Sequence, residues 1–378
     1  MKDSTDKKIR VAHLSSVHPS KDTRIFLKMC RTLSSNGFDV TLIARAEKEQ
    51  ILDGVTILPF PLFDSKIKRF LIAPWVMYRM AKKLKSIELY HLHDPELIIT
   101  AILLRLHGKK VIYDVHEDTP ETMATKDYLH PAAAFVLYYI TWIAEWLAGK
   151  IVNHVIVVIP SIKKRFPSYK TDLVQNYALT DELSRSSAKL TGTSRKKQII
   201  YVGDITRVRG VKEAIQAMEL LPESLGAEFV LGGNFSEPGF EAEVRAMDGW
   251  KKVRYLGFIS RDRMSEELAQ SMAGVNLMHP RPDHYGAQPN KIFEYMSAGL
   301  PVIVSNFPMM STIVEESKCG IAVDPFNISE IASAYQRIIE NEEMQEKMGR
   351  NGRRDVKEKY NWESQIPVLL DIYNKVIG

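Results

Sequence analysis

Cysteine is almost absent. Two residues, Cys30 and Cys319, in a chain of 378 supply neither a disulfide framework nor metal-ligand spacing, and a reducing compartment is the expectation. Nor does an apolar core follow the N-terminal charges. MKDSTDKKIRVAHLSS passes from a charged run into a short strand-like one, unlike a secretory leader, so the expected location is cytoplasmic. Neither half has a complete G-x-G-x-x-G after its first strand, which argues against a dinucleotide cofactor. No D-x-D-like carboxylate pair follows a strand where a divalent metal would be needed, so no metal and no other cofactor is expected.

What is there is globular and long. Hydrophobic residues at 45% and charged residues at 26% exclude a disordered or fibrous chain, and the length exceeds one core, so two domains follow. The net charge of +5 is unevenly divided: residues 1–176 hold 26 Lys and Arg against 18 Asp and Glu, the remainder 25 against 28. A basic first half suits an anionic partner, nucleic acid or a membrane surface, or is simply a solvated face.

Short β-branched runs bounded by polar turns recur at 9–16, 38–45, 89–94, 109–117 and 153–161, and again at 196–204, 227–234, 252–258, 274–280, 300–306 and 319–325. With amphipathic helical patterns between them they read as buried parallel strands. The fold class is α/β: two doubly wound, Rossmann-like domains. The expected boundaries are 1–176, a Ser/Thr/Lys-rich linker over 177–197, a second domain over 198–355, and a terminal helix within 356–378. Ligands bind such sheets at the carboxyl ends of their strands.

The most informative segment is QPNKIFEYMSAGLPVIVSN, residues 288–306. Asn290 is placed to cap a helix that Gly299 ends. Glu294 is then either a bidentate acceptor for a ribose diol or a surface glutamate on an amphipathic helix. The helix start at Asn290 and Lys291 can hold hydroxyl or phosphate oxygens.

Asn290 to Val304 resembles the signature of the retaining glycosyltransferases of family 4, which have the GT-B fold, two such domains facing a cleft. YVGDITRVRG (201–210) resembles that family's glycine turn, FVLGG (229–233) its second glycine strand, YLGF (255–258) the strand leading to the base pocket, and Asn361-Trp362 the entry to a helix that crosses back to the first domain. The resemblance implies that Gly203, Arg207, Arg209, Gly233, Asn234, Gln288, Asn290, Lys291 and Glu294 bind a nucleotide-sugar donor. Arg209 and Lys291 would be catalytic by stabilising the leaving diphosphate. His116 matches a histidine that reaches the donor sugar. Two positions depart from the family pattern: Gly286 stands where a second glutamate is common, eight residues before Glu294, and Asp204 where an arginine follows the glycine turn. Backbone of Ala287, Gln288 and Pro289, the side chain of Asn290, and Arg207 are the available substitutes.

In the first half His18, Asp22, Arg24, His93, Asp94, His116 and Glu117 follow apolar strands and so line strand ends. Apart from His116, they are the acceptor-side candidates; a zinc site from these residue types lacks the spacing metal motifs use. Residues 66–85 carry seven basic residues, no acidic one, and interleaved aromatics. That composition fits an anionic membrane surface and fits a helix packed on the sheet equally well. The apolar stretch 132–149, broken by Glu145, reads as a buried or membrane-facing helix rather than a spanning one.

The expected activity is transfer of a hexosyl or N-acetylhexosaminyl group, with retention, to a glycan or lipid-linked acceptor in bacterial surface-polysaccharide synthesis. The expected place is the cytoplasm or the inner face of its membrane. A nucleotide-sugar epimerase and a non-catalytic nucleotide-sugar-binding protein are the alternatives; nucleic acid is not an expected partner.

Overall fold

The computed structural model describes residues 8–125, 130–179 and 195–378, so most of the expected linker lies outside the described residues. The chain forms two compact units, Met1–Asn176 with Glu363–Gly378, and Tyr177–Trp362. The helix Glu342–Glu358 belongs to the second unit. The segment that rejoins the first therefore starts at Glu363, not at 356, because Asn361 and Trp362 are still held by Ala178 through a bridge and a 2.9 Å hydrogen bond from Trp362 N–H to its carbonyl.

The first unit is built on an eight-stranded sheet: β1 (Arg10–Pro19), β2 (Asp39–Arg45), β3 (Gln50–Leu52), β4 (Val55–Pro59), β5 (Leu89–Leu92), β6 (Lys110–Val115), β7 (His154–Val157) and β8 (Thr171–Leu173). The order is β3-β4-β2-β1-β5-β6-β7-β8, parallel except for the β3/β4 pair. The sequence reading passed over β3, β4 and β8. The first two form a tight hairpin about Asp53-Gly54, both at positive φ, an Asp-Gly turn signal that their short, partly exposed runs obscure. Strand order reverses between β1 and β5, which is where such a sheet opens a crevice.

The second unit is a six-stranded parallel sheet: β9 (Gln198–Val202), β10 (Glu228–Gly232), β11 (Val253–Gly257), β12 (Ala273–Asn276), β13 (Val302–Ser305) and β14 (Gly320–Val323), in the order β11-β10-β9-β12-β13-β14. Alternate residues feed two cores. Ile199, Tyr201, Phe229, Leu231 and Ile303 pack on one face, and Ile200, Val230, Val302 and Val304 on the other. A sheet covered on both faces needs the continuous apolar strands seen in this sequence. Here the order reverses between β9 and β12.

Candidate active site

In the second unit the loop after β9 and the helix Asn290–Ser297 converge at that reversal. Gly203 has φ +144° and a Cβ there would lie 2.4 Å from Cε of Lys291, so a side chain at this position would be strained by its backbone and would push the end of the lysine aside. Gly233 is under the same constraint: a Cβ would lie 1.8 Å from the carbonyl oxygen of Gly203. The Lys291 ammonium sits 4.8 Å from the Tyr201 ring centroid. Burial above all, then the charge of Arg209, lowers its pKa to about 8, against the pull of Glu294 and Asp204. Two cations thus share one small region. Bringing them together is unfavourable until an anion arrives, which is the electrostatic description of a phosphate site.

The helix start differs in detail from the expectation. Pro289 takes the N-cap position with no side-chain cap, and Asn290 is the first helical residue; proline ahead of it supplies the extended φ a cap needs but no acceptor. Ile292 N–H is spent on the Pro289 carbonyl at 3.1 Å, which leaves the N–H groups of Asn290 and Lys291 for a ligand. Glu294 lies one turn in, mostly buried, with Arg261 Nη1 3.8 Å from its carboxylate. Gln288 is half-buried and contacts Met309 Sδ at 3.5 Å, while Asn234 is exposed, its carbonyl receiving Ile205 N–H at 3.0 Å. Arg207 does not join the cation pair. Its guanidinium is paired with Glu237 at 3.3 Å and with Glu243, and lies over the Phe240 ring, so it is not positioned to replace the missing arginine at Asp204. Asp204 itself is hydrogen-bonded by Ser236.

In the first unit, a pocket of about 210 Å³ at the carboxyl ends of β1, β5 and β6 is lined by His18, His93, Asp94, Asp114, His116 and Glu117, with Arg69 and Glu96. Asp94 holds the irregular second half of β1, accepting from Ser15 Oγ at 2.9 Å and Ser16 N–H at 2.5 Å. His18 bonds Asp22 at 3.3 Å and His116 at 3.1 Å. Burial opposes charge on His18, yet the Asp22 hydrogen bond and the Asp94, Asp22 and Glu117 carboxylates raise it to about 9. A charged His18 donates from both ring nitrogens, so His116 Nε2 accepts. His116 is held below its ordinary pKa, by burial foremost and by His18, against Asp114. Its Nδ1 is buried without a partner, 3.8 Å from Asp114.

Arg24 lies elsewhere. It is buried and spends its guanidinium on Asp114, at 2.9 and 2.6 Å, and on the Val174 carbonyl at 3.1 Å. It supports the site from beneath rather than facing the pocket. The helix that carries it, Thr23–Cys30, is a wide-turn π-helix: the Asp22 carbonyl accepts from both Phe26 and Leu27, and its side chain accepts from Arg24 and Ile25. Such turns cluster at functional sites.

Sequence reasoning missed Asp114 and a polar chain below it. The Arg24 ion pair keeps Asp114 ionised despite its burial, so His93 Nδ1 donates to it at 3.0 Å. His13 Nδ1 then donates to His93 Nε2 at 2.8 Å, Tyr373 OH to His13 Nε2 at 3.0 Å, and His91 Nδ1 to the Tyr373 oxygen at 2.7 Å. His13, His91 and His93 are also the one group among the described residues with metal-compatible spacing, ligand atoms within 4.8 Å of one another. Hydrogen bonds occupy every ring nitrogen but His91 Nε2, so the set is read as a directional hydrogen-bond chain. Its one visible signal was the i, i+2 alternation His91-Leu92-His93 across the end of β5, where His91 pairs in register with His13. Also missed were His279 and His284 beyond β12, where His279 pairs with Glu213 at 3.1 Å and His284 bonds the His279 carbonyl at 2.8 Å.

Both units match known domains. Residues 184–355 match the family model "Glycosyl transferases group 1", and residues 23–173 match "Glycosyltransferase Family 4". Each unit thus carries a domain described by a glycosyltransferase model, and the fold is GT-B. The chain is 28% identical over 179 residues to an uncharacterized glycosyltransferase of Methanocaldococcus jannaschii, covering 47% of the chain and 45% of that protein. It spans about half the length of the curated relatives it matches. Sucrose-phosphate synthase from Thermosynechococcus elongatus shares its fold with a TM-score of 0.80 at 18% identity, over 98% of this chain and 99% of that one. An Anabaena protein, HepE, solved with UDP-glucose, aligns with a TM-score of 0.72 at 13% identity, over 97% and 100%.

Proposed function

We propose that this glycosyltransferase moves a hexosyl or N-acetylhexosaminyl group from a nucleotide-diphosphate sugar to a hydroxyl of a glycan or lipid-linked acceptor, with retention of configuration, in the assembly of a bacterial surface polysaccharide. The observation that carries the reading is the cation pair Arg209 and Lys291 at an uncapped helix start, with Glu294 one turn further in. In the reaction the bond from C1 to the donor phosphate oxygen breaks as the bond from C1 to the acceptor oxygen forms on the same face, and the acceptor proton passes to the departing phosphate. Negative charge grows on that phosphate; Arg209, Lys291 and the N–H groups of Asn290 and Lys291 stabilise it. Glu294 accepts the ribose hydroxyls, and His116, neutral at its strand end, contacts the donor sugar. His18, Asp22, His93, Asp94 and Glu117 form the acceptor side. A donor of this class is supported by the UDP-glucose bound in the Anabaena neighbour, and the transferase domain models do not favour an epimerase. A cytoplasmic setting agrees with two free, buried cysteines.

Thermal-shift measurement against UDP-, GDP-, ADP- and TDP-sugars tests the donor half of the reading, since a ligand of the folded state raises the melting point by mass action. One nucleotide class should stabilise the protein, and Glu294→Ala should abolish that shift. No shift with any of them, or an unaltered shift in the variant, refutes the assignment. Product anomer analysis by NMR then decides retention.

A further inference from the structure

The helix Pro131–Ile151 is inside out. Its buried stripe consists of Ala134, Glu145, Ala148 and Gly149, small or charged residues, whereas Phe135 (63% exposed), Ile140 (54%), Ile143 (48%) and Trp146 (38%) face outward. Glu145, the one charged residue between 131 and 149, turns inward to Arg165 at 2.9 Å, so the outward face bears no charge over that length. Large exposed apolar area of this kind marks a docking surface. It continues across the neighbouring helix Ile98–Leu106, which packs on both Pro131–Ile151 and Lys66–Lys83. On the latter, Phe70, Leu71 and Trp75 are also half or more exposed.

We propose that this three-helix face of the first unit docks on an anionic lipid bilayer, its helices lying in the plane of the interface. Length and composition alone would let Pro131–Ile151 cross a membrane, but its inward face is tied to protein by the Glu145–Arg165 pair and by Arg105 Nε on the Ile151 carbonyl at 3.0 Å. The charges choose the occupant. Arg79, Lys82 and Lys83 are exposed on the second helix, and Lys150 lies 3.7 Å over the Trp146 ring at the end of the first. A second copy docked through the same face would set basic rim against basic rim, whereas lipid phosphates neutralise it. Tryptophan and tyrosine among aliphatic residues beside lysine is the composition of the headgroup boundary. The site of the first unit lies at the edge of this face: its pocket is lined by Arg69 of one helix and by Thr122 and Met123 of the short helix that packs on the other. The inference deepens the lipid-linked branch of the proposed acceptor but is measured without donor or acceptor, so it stands or falls separately from transfer.

The test is co-sedimentation of the full chain with phosphatidylcholine vesicles containing roughly 30% phosphatidylglycerol, and with pure phosphatidylcholine. Binding is expected to the first, to fall with added salt, and to weaken about tenfold or more in Ile140→Glu/Ile143→Glu and severalfold in Lys82→Glu/Lys83→Glu. Absence of binding to anionic vesicles, equal binding to both, or unchanged binding in the Ile variant overturns it. So does a dimer in light scattering that Ile140→Glu dissociates, which would make the face an interface between copies. Should the variants lose their cooperative melt, tryptophan fluorescence of the unaltered protein decides instead: quenching by brominated lipid in anionic vesicles supports the docking, and unquenched fluorescence overturns it.

Discussion

Lys291 offers the sharpest test of the donor site, because its pKa of about 8 puts its charge within reach of pH. Both phosphates of a nucleotide-diphosphate sugar stay ionised between pH 7 and 9, so over that range the diphosphate itself contributes no titration. If the diphosphate binds only the ammonium form, apparent Kd scales as one plus ten raised to the difference between pH and pKa. With the pKa at about 8 that factor is about 1.1 near pH 7 and about 11 near pH 9, a tenfold loss of affinity worth about 1.4 kcal/mol. Isothermal titration with the stabilising nucleotide sugar, at constant ionic strength, measures it. Lys291→Arg replaces the group with one that stays charged throughout. Its absolute affinity should drop, since a longer head must pass the Gly203 turn, but its pH dependence should vanish. A Kd in the native protein that changes less than twofold across this range, or the same slope in Lys291→Arg, would refute the placement of the diphosphate on Lys291.

Three further outcomes follow from the same geometry. Gly203→Ala puts a methyl against Lys291 at a positive φ; it should cost about 1–2 kcal/mol of stability and weaken nucleotide-sugar binding, and a variant that binds normally would show that the lysine path is free. Arg24→Ala leaves Asp114 buried and unpaired, for an expected loss of about 3 kcal/mol in urea unfolding, and a loss below about 1 kcal/mol would contradict the buried pair. His18, raised to about 9, stabilises fully below its unfolded pKa of 6.5 and loses that contribution as pH rises through 9. Asp22, lowered to about 2, sees the same pair from its other end together with the Ile25 and Arg24 N–H groups, so the two shifts overlap and about 2 kcal/mol is the order of magnitude that His18 carries. Native protein should therefore lose about 2 kcal/mol more than His18→Gln between pH 6.5 and 9.5; parallel curves would count against the assignment.

All the strands but β3, β4 and β8 were legible because a parallel strand buried on two faces must be an unbroken apolar run, and each such run became one. The helix after Pro289 was legible for the same kind of reason, a stop and a periodicity within a dozen residues. Long-range pairing was not. Asp114 reads as an interior strand residue, and nothing near it announces Arg24, ninety positions earlier. Glu145 reads as a break in an apolar face because sequence does not say which way a single carboxylate turns; Arg165 decides it. Asn290 looked like a cap, but the proline before it already held the capping conformation. Arg207 and Arg209 are equivalent on paper, and only Glu237 and Glu243 separate them.

One consequence concerns the order in which the protein is made. Residues 177–362 are contiguous, and their two ends are stitched together by Ala178 with Asn361 and Trp362. The first unit is not contiguous: Tyr373, synthesised after the whole of the second unit, supplies the hydroxyl that bridges His13 and His91. On the ribosome the second unit can therefore complete itself while the first waits with an open seat and two buried histidines, His13 and His91, short of a partner. A stalled or clipped chain lacking residues 363–378 would carry a folded second unit beside an unfinished first one, a state that quality control can recognise.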